Sequence, residues 1–485
     1  MAVYYCINAG GVWTAGATWS TISAKDVTRV GGAIAPTSSD DCIIDDYSGS
    51  VTVSSNGVGK SANFTSHTGT LTINNAITLT LSGAFTAGAS MATASTGTLI
   101  LQTTTTHNLN NATLAGITVR FGGSSQTHTL GSGGTINNLL SSGTTVVTLA
   151  MGSNNLTVTG TTTITTALTT TGTGVISGTT LSHAAVNFTI PAGQNHIFSG
   201  VYTPSGNAII QTGGIQCAGI NNGANTITGT GKITLTGGTW TGGAGNVTIN
   251  LDIAGNCTLS GNIHYLTKTL TYVSGTVTQS SLNLYLEGSC TLNLGAFKPD
   301  AMTVDATTTA TLTSALSTAS LTVSNALTTS GAYSVTADSI YINGVILTIP
   351  QGQTLHTNTM LKISGLYNGV QGIQSGTASS PIYLHYTGNV ANIQIAYATL
   401  IDVDATTSSF TINNVFNITK TRCTNIMNAN YQNFTDSQIT TIMANLNAPV
   451  GSIPTTPLLT GDTRLNNLDG KVSDAIKAAK NAQVM

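Results

Sequence analysis

Apolar and polar residues alternate in short runs from about residue 50 to about residue 415, the period of an extended strand with one buried and one wet face. Leu71 and Ile73 alternate, then Ile77, Leu79 and Leu81. Val247, Ile249, Leu251 and Ile253 point one way, with Thr248, Asn250 and Asp252 pointing the other. Leu282, Leu284 and Leu286 oppose Asn283, Tyr285 and Glu287 in the same manner. The outward positions are mostly threonine, whose branched Cβ suits a pleated surface. Gly, Ser and Asn turns such as Ser82-Gly83 and Gly237-Gly238 separate the runs. Core positions are Ile, Leu, Val and Ala, with little variation from run to run. That pattern favours an all-β, right-handed β-solenoid, in which aliphatic side chains stack coil upon coil, over a sandwich with a more aromatic core. At about 20 residues per coil the body predicts roughly 15 to 18 coils and a rod on the order of 70–90 Å long.

A longer repeat lies over this pattern. Ala167-Leu168-Thr169-Thr170-Thr171-Gly172 recurs as Ala326-Leu327-Thr328-Thr329-Ser330-Gly331, and Thr189-Ile190-Pro191-Ala192-Gly193-Gln194 recurs as Thr348-Ile349-Pro350-Gln351-Gly352-Gln353. Both pairs are offset by 159 residues, which reads as equivalent coils in two copies of a larger unit.

The ends differ from the body. Residues 1–50 hold Trp13 and Trp19, two of only three tryptophans, with Asp40, Asp41, Asp45 and Asp46. They read as a short cap over the first coil, whose core and strand edge would otherwise be open. Residues 51–415 form the body. In the connecting region 416–450, Thr435 and Gln438 have capping-box spacing. Phe434 and Ile439 can staple the same helix, and Ile439, Ile442, Met443 and Leu446 make its apolar face. Residues 451–485 are a Pro-containing linker and a second helix. Its apolar stripe, Leu465, Leu468, Val472, Ala475, Ala479 and Ala482, has 3-4-3-4-3 spacing. So short a helix is not stable alone, so the stripe is expected to mediate oligomerisation or attachment, with docking on its own rod as the alternative.

Only 14 basic and 16 acidic residues occur in 485, a charged fraction of 6% and a formal charge of −2. Glu287 is the single glutamate, so a long helical or coiled-coil protein is excluded. No basic surface is available for nucleic acid. No stretch reaches the ~18 consecutive apolar residues of a membrane span, and the residues after Met1 do not have the form of a secretory signal. The expectation is assembly in a host cytoplasm without membrane insertion. Cys6, Cys42, Cys217, Cys257, Cys290 and Cys423 have no CxxC spacing and read as small buried apolar residues.

Polysaccharide-cleaving solenoids need two carboxylates in different protonation states. From Tyr47 to Leu251 there is no Asp or Glu. In the other half, Asp402 and Asp404 flank Val403 and would share one strand face ~7 Å apart, a spacing that fits an inverting pair; the bland reading is a solvated strand-to-turn pair. The Asp40/Asp41/Asp45/Asp46 cluster could hold calcium but lacks EF-hand spacing. The histidines have no HxxxH or HExxH pairing, and no glycine-rich run has the phosphate-loop pattern, so no metal, no cofactor and no catalytic residue is assigned. Tyrosine is absent between Tyr47 and Tyr202 and crowds the second half. Exposed aromatics bind sugar faces and protein partners at low entropic cost. Trp240, Tyr265, Tyr285, Tyr383 and Tyr386 are the receptor-contact candidates; ordinary strand-surface tyrosine is the alternative.

Two segments carry a resemblance. Tyr4-Tyr5, Gly11-Val12-Trp13, Thr18-Trp19-Ser20, Pro36-Thr37-Ser38-Ser39-Asp40-Asp41-Cys42-Ile43-Ile44-Asp45 and Ser48-Gly49-Ser50-Val51-Thr52-Val53 resemble the opening of repetitive structural proteins of tailed bacteriophages. Ser375-Gly376-Thr377-Ala378-Ser379-Ser380-Pro381-Ile382, continuing to Asp402-Val403-Asp404-Ala405, is similar to a closing segment in the same group. The resemblance implies a virion appendage of tail-fibre, spike or capsid-decoration type. It further implies a homotrimer bound to other virion proteins, meeting a host-surface polysaccharide or protein. A bacterial surface adhesin and a polysaccharide-cleaving tailspike remain the alternatives.

Overall fold

Each alternating run forms a strand, and each strand lies parallel to the strand about twenty residues further on, so neighbours in the sheet are successive coils of one winding. The computed structural model describes residues 2–426 except 33, 95, 266–267, 365–370, 390–391, 397, 407–414 and 417–418. Over these the chain is an all-β solenoid of about 18 turns, and no α-helix occurs among the described residues. The two C-terminal helices expected over 434–446 and 465–482 lie outside them, as do the stripe residues Leu465, Leu468, Val472, Ala475 and Ala479.

Three ladders of inward side chains run along the rod. On the first, Ile227, Val247, Tyr265, Leu286, Val304, Val323, Ile342 and Ile363 stack on successive coils. On the second, His196 is followed by Ile215, Ile233, Leu251, Leu270, Leu292 and Leu312. On the third, Leu79, Leu99, Val119, Leu139, Thr162, Leu181, Tyr202, Ile220, Trp240 and Leu259 follow one another. The buried apolar residues form one cluster from Tyr4 to Ile426. At the corners, asparagine carries the ladder across the turns. The Oδ1 atoms of Asn56, Asn155, Asn207 and Asn256 accept the backbone N–H of Thr78, Val175, Thr226 and Thr276 on the next coil at 2.7–3.0 Å. A corner backbone group that would otherwise need water is satisfied within the rod.

The third ladder contains one misfit. Thr162, between Leu139 and Leu181, is fully buried and its Oγ1 has no hydrogen-bond partner. An unsatisfied buried hydroxyl costs ~1–3 kcal/mol, so Thr162→Val, which keeps the branched shape, is expected to raise stability by about 1 kcal/mol. A lower urea midpoint for the variant would contradict this.

The 159-residue repeat has a geometric counterpart. Leu168 stacks on Phe188 and Leu327 on Leu347. The buried Thr170 and Thr329 hydroxyls donate to Thr189 O and Thr348 O, each at 3.3 Å. Gly172 and Gly331 have φ of 92° and 95°, and a Cβ on either would come within 2.3 Å of a backbone oxygen. Yet the copies occupy different ladders. Leu168 belongs to the ladder that leads through Phe188 and its coil to Ile227 and Val323. Leu327 lies on the neighbouring ladder of Leu270, Leu292 and Leu312. The second copy is locally equivalent to the first and sits one face further round the rod.

Five histidines are buried in the first half: His67, His107, His128, His183 and His196. His107 accepts the Phe85 N–H at 3.2 Å and lies 3.2 Å from His128, which in turn bonds Gly122 O at 3.0 Å. His196 accepts the Ile176 N–H and bonds Thr170, both at 3.0 Å. His183 bridges Tyr202 Oη and Val186 O. Burial pulls all five below the usual imidazole range, His107 to about 3 and His183 and His196 to about 4.

At the N-terminus the strand Val3–Cys6 pairs parallel with Asp41–Ile43 and antiparallel with Trp19–Ser20. Trp13 and Trp19 are fully buried, edge to face at 5.0 Å. Trp13 Nε1 donates to Val58 O and Trp19 Nε1 to Trp13 O, which fixes this segment to the first coils. The loop between the strands is pinned by Arg29. Its guanidinium is buried and bidentate to Asp45 at 2.8 and 3.0 Å. It also donates to Ala24 O and Ser23 O, and lies 5.3 and 5.2 Å from the Tyr5 and Tyr47 rings.

Candidate contact surface

The ladders sort the aromatic candidates by direction. Trp240, Tyr265 and Tyr386 are inward members of the stacks, at 2%, 0% and 0% exposure, and cannot meet a receptor from the folded rod. Trp240 Nε1 donates to Asn222 Oδ1, Tyr265 Oη to Ile249 O, and Tyr386 Oη to Asn389 O, so each polar tip is satisfied inside. Burial raises the Tyr265 and Tyr386 phenols above their usual range. Tyr285 and Tyr383 face outward and are half-buried. They lie on different ladders and separate coils, so they do not build one small site.

The carboxylates are largely occupied by structural partners. Asp402 sits at a corner with φ 54°, nearly buried, so it does not share a strand face with Asp404. Arg422 bonds both Asp402 oxygens, with Nη2 to Oδ2 at 2.7 Å, and Ser379 N–H donates at 3.1 Å. These bonds hold Asp402 below the usual carboxylate range. Partial burial pushes Asp404 up, but bonds from Thr424 and Thr406 outweigh it and its pKa is also lowered. Two carboxyls that are both ionised at neutral pH are not the acid–base pair that the spacing allowed.

The N-terminal acidic cluster is divided in the same way. Asp40 accepts from Thr37 and the Ala2 N–H, Asp41 from Lys60 and Ser61, Asp45 from Arg29 and Ser48, and Asp46 from Lys25. Among the described residues no group of three His, Cys, Asp or Glu side chains could hold a metal ion. The cysteines are free; all but the half-buried Cys423 are buried, and burial raises every thiol, Cys217 and Cys290 to about 12.

The coils between about residues 246 and 312 carry the one surface that combines aromatic, charged and concave features. On the first-ladder face, His264 and Tyr285 stack in register, 4.6 Å apart and nearly parallel, and Glu287 bonds His264 Nδ1. One corner further along the chain, on the second-ladder face, lies a trough of about 340 Å³. Asn250, Thr269, Thr291 and Thr311 line it from successive coils, with Thr309 beside them and Lys268 at its edge. Asn250 Oδ1 accepts the Thr269 N–H at 3.2 Å, which leaves the amide NH₂ for the trough. Lys268 makes no ion pair among the described residues. By contrast Lys232 pairs with Asp252 and Lys298 with Asp338, both at 2.7 Å.

Sequence reading missed Lys268, His264 and the trough. The signal was the outward threonines at intervals of one coil, which become a single surface only when the coils are in register. Comparison with protein-family models, with curated proteins and with solved structures finds no match to this chain.

Proposed function

We propose that the protein is a non-enzymatic structural rod of a tailed-phage virion, a fibre or spike-like appendage used for host adhesion or particle decoration. The observation that carries this reading is the division of labour along one continuous core. A first half with threonine-rich faces and no carboxylate beyond its N-terminal segment is followed by coils with outward aromatic, cationic and concave features. The resemblance of residues 4–53 and 375–405 to phage structural proteins supplies the virion setting. The winding is proposed to be right-handed, the hand that right-twisted strands favour in parallel crossovers. The C-terminal stripe Leu465, Leu468, Val472, Ala475 and Ala479 would join three copies or fix the rod to other virion proteins. The partner at the far face would be a host-surface polysaccharide or protein. Assembly would take place in the host cytoplasm, without cofactor, nucleic acid or membrane insertion. No helix among the described residues is long and apolar enough to cross a membrane.

Gold-labelled antibody against the chain should decorate intact phage particles in electron micrographs. Tyr285→Ala and Tyr383→Ala together should reduce host-cell binding while leaving particle assembly intact. Label confined to the surface of uninfected bacteria would replace this reading with an adhesin. Release of reducing ends from host polysaccharide would replace it with a cleaving tailspike.

A further inference from the structure

We infer that the trough on the second-ladder face of residues 250–311 binds an acidic saccharide, with the anionic group of the sugar on Lys268. The inference deepens the adhesion reading and rests on it only for its biological setting. Three features of the trough lead to it. Its volume of about 340 Å³ lies at the small end of ligand clefts, which span roughly 300–1,000 Å³, and so suits one or two sugar units. It crosses successive coils along the rod, so a longer chain can pass through it. Its wall is a lattice of small hydroxyls, Thr269, Thr291, Thr309 and Thr311, beside the free amide donors of Asn250. Such groups both donate and accept, as sugar hydroxyls do.

Lys268 decides between sugar classes. The lining contains no aromatic ring, so a neutral sugar lacks the platform that usually supplies its affinity. Lys268 is the only charged residue of the lining, half-buried at its edge and without an ion pair among the described residues. A carboxylate on the sugar would give it a charge-assisted bond at the trough wall. The buried Cys290 thiol contributes only an unreactive, apolar part of the floor, its pKa pushed up to about 12.

The test uses the full chain with digalacturonate as probe and its dimethyl ester as the uncharged counterpart of nearly the same shape, read by saturation-transfer NMR titration. Digalacturonate should bind and the ester should bind at least about tenfold more weakly, the worth of one charge-assisted bond. Lys268→Ala should remove that preference, Lys268→Arg should retain most of it, and Thr291→Val with Thr311→Val should weaken both ligands. Melting curves matching the parent chain would confirm that the variants are folded. Equal binding of acid and ester, or an unchanged preference in Lys268→Ala, would overturn the assignment. A chain that labels virions but shows no preference for acid overturns this inference alone. A chain that binds the acid but labels no particle overturns the virion reading alone.

Discussion

Replacing Arg29 with methionine should unfold the N-terminal cap while leaving the later coils intact. The substitution keeps the length and apolar stem of the side chain and removes the guanidinium. Asp45 would then be left nearly buried, with only the Ser48 hydroxyl and the Tyr47 N–H in place of a bidentate cation. Breaking one partner out of a buried pair typically costs ~3–5 kcal/mol, because the remaining charge is uncompensated. Arg29 also ties down Ser23 O and Ala24 O and sits between the Tyr5 and Tyr47 rings, so the loop loses its anchor together with the charge. Once the strand Val3–Cys6 lifts away, the edge of Asp41–Ile43 is bare, and an uncovered strand edge pairs with other chains. The expected result is an early melting transition and concentration-dependent light scattering. Arg29→Met with Asp45→Asn should recover part of the stability, since it removes the stranded charge. A single variant that melts like the parent chain and stays monodisperse would show that the pin is dispensable.

Acid should loosen the first half of the rod before the second. The sign follows from the buried imidazoles. Their pKa values in the folded rod are depressed, while the unfolded chain titrates near 6.5. Below that value the unfolded state binds more protons than the folded one, so stability falls as pH falls. The stabilisation is fully present above about pH 6.5 and is lost progressively towards pH 3–4, where His107, His183 and His196 themselves protonate. Each such imidazole contributes on the order of 2–4 kcal/mol to the loss at the acid end. No carboxylate lies between Asp46 and Asp252, so no acidic side chain shares this titration. In a solenoid each coil contacts only its neighbours, and local opening need not spread. Pepsin at pH 4 should therefore cut first between about residues 65 and 200. First cuts beyond residue 250, or a urea midpoint unchanged between pH 7 and pH 4, would contradict the argument.

The fold was legible because a period of two is a local signal and the same core residue types recur coil after coil. The direction of the tyrosines was present in that same signal. Ile263 and Tyr265 share a parity, as do Leu384 and Tyr386, and both tyrosines are inward. Tyr285 alternates with Leu284 and Leu286 and is outward. Reading the aromatics by their uneven distribution set aside the alternation that governs each one. Trp240 was less accessible to this reasoning, since Gly237-Gly238 breaks the run before it and resets the phase. Asp402 departs from strand geometry at a left-handed corner, and nothing in Asp402-Val403-Asp404 marks that turn. The trough depends on which residues become neighbours after winding. Thr269, Thr291 and Thr311 meet through coil lengths of 22 and 20 residues, and a single shorter turn would have separated them.

The placement of the second repeat one face round the rod means that this chain carries no compass. Leu168 and Leu327 perform the same task with the same threonine and glycine neighbours while pointing along different radii. Which wall a segment becomes is decided by how much chain was wound before it, as thread on a three-sided bobbin takes its side from the length already laid down. A segment inserted or removed upstream in anything other than whole windings would re-aim everything downstream without unpicking it. Bristles on such a bobbin can be turned to a new azimuth by editing length alone.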